Sequence, residues 1–87
     1  MDRIHLVAAS MDGGRFERTV SSVTLPSAYG SLGILAGHAP MLCAVEEGTV
    51  VCRSGEEAVR IRVSGGIAHV ANNELRLLLS HMEIEEP

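Results

Sequence analysis

Apolar residues in this chain alternate, and nowhere do they recur at helical spacing for three turns. Ile4, Leu6 and Ala8, then Val59, Ile61 and Val63, then Leu75, Leu77 and Leu79 each occupy every second position, which puts each set on one face of an extended strand. Asp12-Gly13-Gly14, Ser54-Gly55, Gly65-Gly66 and Asn72-Asn73 punctuate these runs with residues that tolerate turn conformations. The pattern predicts eight or nine short strands with turns roughly every 8 to 12 residues, the spacing of a sandwich or barrel. The fold class is all-β, in a single domain.

Eighty-seven residues bury only about 60 to 65% of their unfolded surface. The core must be aliphatic, because hydrophobic residues make up 46% of the chain and aromatics only 2%. Strands are expected over residues 3–9, 16–25, 41–45, 49–53, 57–63, 67–71 and 74–80, with the tail 81–87 fading out. The second begins with Phe16, Arg18 and Val20 on alternate positions and ends with Val23 and Leu25 in the other phase, so a β-bulge is expected at Ser21–Ser22. A two-residue turn at Glu47-Gly48 would pair positions summing to 95 and set Cys43 opposite Cys52 in a non-hydrogen-bonded pair.

Net charge is −4, and the seven basic residues are scattered, so a nucleic-acid surface is not expected. No run of about 18 apolar residues occurs, so no membrane-spanning helix is expected, and the N-terminus does not read as a secretory signal. Two cysteines are too few for a disulfide scaffold or zinc cluster, which makes a reducing compartment the default.

The chain offers little local support for catalysis. Tyr29-Gly30-Ser31-Leu32-Gly33 lacks the spacing of a nucleophile elbow, and no phosphate-cradling glycine motif is present. His5, His38, His69 and His81 are far apart in sequence and outside metal-ligand spacings; His5 and His69 read as solvated strand positions. A Cys43–His38 pair would need an electropositive setting that an acidic chain does not suggest. Glu46-Glu47, Glu56-Glu57 and Glu85-Glu86 are neighbours whose side chains diverge. No catalytic, cofactor-binding or metal residue is assigned, and no small-molecule substrate is expected. Residues 25–42 concentrate three glycines, two prolines and the lone tyrosine without either period, which reads as a rigid, shaped recognition loop. The chain reads as a binding module.

Leu25-Pro26-Ser27, Gly30-x-Leu32-Gly33-Ile34-Leu35, Gly37-His38-Ala39-Pro40-Met41-Leu42, Gly48, Val63-Ser64-Gly65-Gly66 and Val70-x-Asn72-Asn73, in this order, closely resemble the epsilon subunit of F-type ATP synthase, in its N-terminal β-sandwich. The likeness runs from about Ile4 to Ser80. It implies a flattened sandwich or barrel of about ten strands in a noncatalytic rotor subunit. That subunit couples gamma to the membrane c-ring during proton- or sodium-driven ATP synthesis, peripheral to the inner or plasma membrane on its cytoplasmic face. It also implies a c-ring contact at Tyr29, Gly30, Ser31, Leu32 and Gly33, and a gamma contact at His38, Ala39, Pro40, Met41, Leu42 and Cys43. Family members often carry an acidic residue where this chain has Ser31. They usually continue into a C-terminal helical hairpin, which is not expected in these 87 residues. A stand-alone β-sandwich that binds a protein or ligand is the alternative, and a deep polar pocket would favour it. A small hydrolase comes third, and its turnover would depend on His38.

Overall fold

The computed structural model describes residues 3–85, and these form strands and turns with no helix. The eight strands are β1 (Ile4–Ser10), β2 (Arg15–Val20), β3 (Ser22–Ser27), β4 (Gly30–Leu35), β5 (Met41–Ser54), β6 (Glu57–Ala71), β7 (Glu74–Leu79) and β8 (Met82–Glu85). They hydrogen-bond in the order β2-β1-β7-β6-β5-β3-β4, with β8 added beside β6. All pairings are antiparallel except β1 with β7, which is parallel and joins the start of the chain to its end through His5↔Glu74 to Ser10↔Leu79.

The two long strands make one sheet into two layers. The N-terminal half of β5 pairs with the C-terminal half of β6, and β7, β1 and β2 extend that layer. The other halves of β5 and β6 are flanked by β3 and β4 on one side and β8 on the other. Each long strand therefore serves both layers, and the eight strands give ten strand segments. The buried position in β5 jumps from Val45 to Val50, and in β6 from Val63 to Ala68. Both steps are odd, so alternation breaks in both strands at the same crossing, where Glu47 pairs with Ser64 and Gly48 with Val63.

The sequence signals at this crossing do not make turns. Glu47-Gly48 and Gly65-Gly66 lie inside continuous strands, and Cys43 pairs with Ala68 while Cys52 pairs with Val59. The expected Cys43–Cys52 juxtaposition is absent because the turn that would create it is the point where β5 passes between layers; both thiols are free. Gly66 is needed there, since a Cβ would lie 2.1 Å from the Leu78 carbonyl oxygen and 2.8 Å from Leu79 Cα. Only a bare backbone lets β6 lie this close to β7.

Ser21 and Ser22 together oppose Arg53. The Ser21 N–H and Oγ each donate to the Arg53 carbonyl at 2.8 Å, while Ser22 is the residue paired with Arg53. Two residues against one is the arrangement of a bulge, and it carries the chain from β2 in one layer to β3 in the other. Asn72 and Asn73 turn with φ of 52° and 59°, the conformation expected of that pair. The tail does not fade within the described residues, because β8 pairs Met82 with Val63 and Ile84 with Ile61 and buries Met82.

One core unites the layers. Ile4, Leu6, Val23, Ile34, Val50, Ile61, Val70 and Leu75 are fully enclosed, and no polar side chain is buried among the described residues.

The corner where β8 begins is tied by charge. His81 Nδ1 donates to the Asp12 carboxylate, Nε2 lies 3.2 Å from Glu83 Oε1, and Ser10 Oγ also donates to Asp12. The Asp12 bond, then the Glu83 bond, raises the His81 pKa above its ordinary 6.5; the Ser10 bond, then His81, lowers the Asp12 pKa below 3.8. A raised histidine pKa stabilises the fold fully below pH 6.5, and that contribution fades as pH rises through the folded-state value. The aspartate contribution is present above pH 3.8 and fades as pH falls through the lowered value. The difference in urea midpoint between wild type and His81→Gln is thus expected to be largest between these limits and to shrink as pH rises past the histidine titration. A difference independent of pH would show that the corner is held by packing alone.

Candidate docking surfaces

Residues that alternate into the core leave their neighbours on the outside, and in the layer containing β1 and β7 many of those neighbours are apolar. Register places Ala44, Ile67, Leu78 and Ala9 in one row across β5, β6, β7 and β1, with Leu42, His69, Arg76 and Val7 in the adjacent row. Leu42 is 70% exposed, Leu78 65% and Ile67 50%. The rows line a shallow groove of about 440 Å³ together with Arg15, His69 and Arg76 lying among the apolar residues, and Met11, 89% exposed, lies beside a neighbouring depression that shares Ile67 and Leu78. A contiguous exposed aliphatic face on a small domain marks a contact surface.

A second surface is the tip between β3 and β4. Tyr29 is fully exposed there. Ser27 fixes the tip, its Oγ donating to the Gly30 carbonyl at 2.8 Å and accepting from the Tyr29 N–H at 3.2 Å. Ser31 and Gly33 are exposed, whereas Leu32 packs against the core.

These placements revise the expected shaped loop. Residues 25–42 are mostly the β3–β4 hairpin, followed by a turn and a short irregular stretch over residues 36–40. Because β4 rises about 3.3 Å per residue, Tyr29 and His38 stand roughly 20 Å apart at its two ends. The two segments that the resemblance implies as contacts therefore lie at opposite ends of β4. His38 is braced locally, with Nδ1 donating to the Ala39 carbonyl at 2.8 Å. The Gly37 N–H donates to Asn73 Oδ1 at 2.6 Å, tying this turn to the β6–β7 hairpin. Ala39 and Pro40 are exposed, Met41 and Cys43 pack against the core, and Leu42 alone of residues 41–43 reaches the apolar face. Val7, Ala9, Ile67 and Leu78 belong to that face without having been singled out from the sequence. Their signal was weak, consisting only of apolar residues in the outward phase of three strands.

Of the histidines assigned to solvent, His69 is exposed, whereas His5 is half-buried, with Nε2 2.7 Å from Glu17 and Nδ1 3.2 Å from Thr19 Oγ1. Burial pushes the Cys52 thiol up to about 11, against a smaller opposing effect of Arg18, so it stays protonated at neutral pH. No group of three or more His, Cys, Asp or Glu side chains is placed to hold a metal ion among the described residues.

A two-layer β-sandwich with one apolar outer face and a braced hairpin tip defines a docking module. Residues 3–85 match the ATP synthase, Delta/Epsilon chain, beta-sandwich domain, and the chain belongs to that family. The ATP synthase epsilon chain of Cyanothece sp. is 46% identical over 68 residues, covering 78% of this chain and 49% of the relative. That of Gloeothece citriformis is 48% identical over 61 residues, covering 70% and 44%. The chain thus spans about half the length of the curated relatives it matches. A chain in the cryo-EM structure of Euglena gracilis mitochondrial ATP synthase, OSCP/F1/c-ring, shares the fold with a TM-score of 0.88 at 22% identity, over 97% of this chain and 54% of that one. One in the central stalk/c-ring structure from Tetrahymena thermophila matches with a TM-score of 0.76 at 15% identity, over 92% and 65%.

Proposed function

We propose that this chain is the β-sandwich of a noncatalytic rotor subunit, joining the gamma subunit to the c-ring of an F-type ATP synthase on the cytoplasmic side of the membrane. The observation that carries the reading is the exposure of Leu42, Ile67 and Leu78 on one outer face in a member of this family. Such a face gives gamma an apolar surface to bury, while the Tyr29–Ser31 tip, on the β3–β4 hairpin at the other end of the strand order, is free to meet the polar loops of the ring. Two contacts on one two-layer sandwich, whose long strands β5 and β6 run through both layers, suit a part that transmits torque, because rigid sheets resist shear between them.

Co-expression with gamma and c-ring subunits of the same complex tests this. The chain should co-purify with both, and rotary coupling in reconstituted vesicles should depend on it. A chain that stays free while the remaining subunits assemble would remove the proposal.

A further inference from the structure

The free edge of β4 differs from the other exposed edges. β2 carries Arg15, Glu17 and Arg18, and β8 carries Glu83 and Glu85, charges that discourage strand addition. β4 is Gly-Ser-Leu-Gly-Ile-Leu, with neither charge nor proline.

The position of Pro26 shows which β4 groups are free. Proline has no N–H, and β3 loses register with β5 between Thr24 and Ser27, so the missing donor lies on the β5 side. Ser22, opposite Arg53, and Thr24 turn the same way. Val23, Leu25 and Ser27 therefore bond to Ile34, Leu32 and Gly30, and the backbone groups of Ser31, Gly33 and Leu35 point outward along the edge. One of them is engaged, since the His38 N–H donates to the Leu35 carbonyl at 3.1 Å.

We propose that this edge pairs antiparallel with β4 of a second copy of the chain, about a two-fold axis at Gly33. In that register Gly33 faces Gly33 and exchanges two hydrogen bonds, and each Leu35 N–H donates to the opposing Ser31 carbonyl. The Gly33 groups, the Leu35 N–H and the Ser31 carbonyl meet their complements, the edges bring no like charges together, and nothing stands within 4 Å of where a Gly33 side chain would begin. Leu32 lies opposite Ile34 on the inner side, where the two cores would become continuous. The inference stands on edge geometry and is independent of the rotor reading. The paired edge would cover Ser31 and Gly33, so ring contact and self-pairing exclude each other.

Sedimentation velocity of the full chain should show a mass rising from 9.2 kDa toward twice that value as concentration enters the millimolar range. Amide exchange at Ser31, Gly33 and Leu35 should slow over the same range while β2 amides stay unchanged. Gly33→Lys opposes two ammonium groups across the axis and should raise the dissociation constant about tenfold or more. Gly33→Val, which adds strand propensity, should lower it. A chain monomeric throughout, or a dimer indifferent to Gly33→Lys but lost with Leu78→Asp, would overturn the proposal, the second outcome placing self-association on the apolar face.

Discussion

Gly66→Ala should lower stability by about 3 kcal/mol, which for a domain this size is a fall of about 15 °C in Tm. The whole fold is held by only about 4 to 13 kcal/mol. An alanine methyl at this site would sit 2.1 Å from the Leu78 carbonyl oxygen, 3.0 Å from its carbon and 2.8 Å from Leu79 Cα. These are backbone atoms of the neighbouring strand, which no rotamer change can move. β7 must retreat, and the Gly66↔Leu79 and Ile67↔Leu78 pairings weaken just where β6 leaves one layer for the other. Gly33→Ala is the matched control, because its methyl meets nothing within 4 Å and should change stability by no more than about 0.5 kcal/mol. Thermal unfolding followed by circular dichroism compares the two. If Gly66→Ala melts within a degree or two of wild type, the close approach of β6 to β7 is not what holds the crossing.

That glycine also marks where the sequence stops being legible. Alternation over Ile4, Leu6 and Ala8, over Val59, Ile61 and Val63, and over Leu75, Leu77 and Leu79 identified nine core residues, because a strand with one buried face writes its period into local sequence. A glycine at a turn and a glycine in a strand crossing are the same letter. What distinguishes Gly66 from Gly55 is Leu78, a contact set by tertiary pairing. The same loss of local information split β5 in two and produced the Cys43–Cys52 pairing. Motif resemblance supplied the family where periodicity could not, and it divided residues 25–42 into two contacts that composition alone had read as one shaped loop. The hairpin puts Tyr29 and His38 at opposite ends of β4, and the apolar face depends on the parallel β1–β7 pairing, which brings Val7 and Ala9 beside Arg76 and Leu78 from the far end of the chain.

Leu78→Asp should weaken association with gamma by about 100-fold, equivalent to roughly 2.8 kcal/mol, while leaving the isolated domain folded. Leu78 is 65% exposed in the free chain, so an aspartate there costs at most about 1 kcal/mol of strand preference. In a complex the same position lies between Ile67 and Ala9, in the middle of the apolar row. Covering it would strip water from a carboxylate flanked across the sheet by Ile67 and Ala9, and the neighbouring Arg76 guanidinium would offset only part of that cost. A penalty of desolvation acts on dissociation more than on encounter, so the loss should appear as a faster off-rate. Tyr29→Ala separates the two surfaces: removing a fully exposed ring at the hairpin tip should leave affinity for gamma unchanged and reduce retention of the c-ring. Both variants are measured by surface-immobilised gamma binding and by c-ring retention in the assembled complex. Equal loss of gamma affinity in the two would mean that the apolar face and the tip form a single contact, and their placement on different strands would carry no functional meaning.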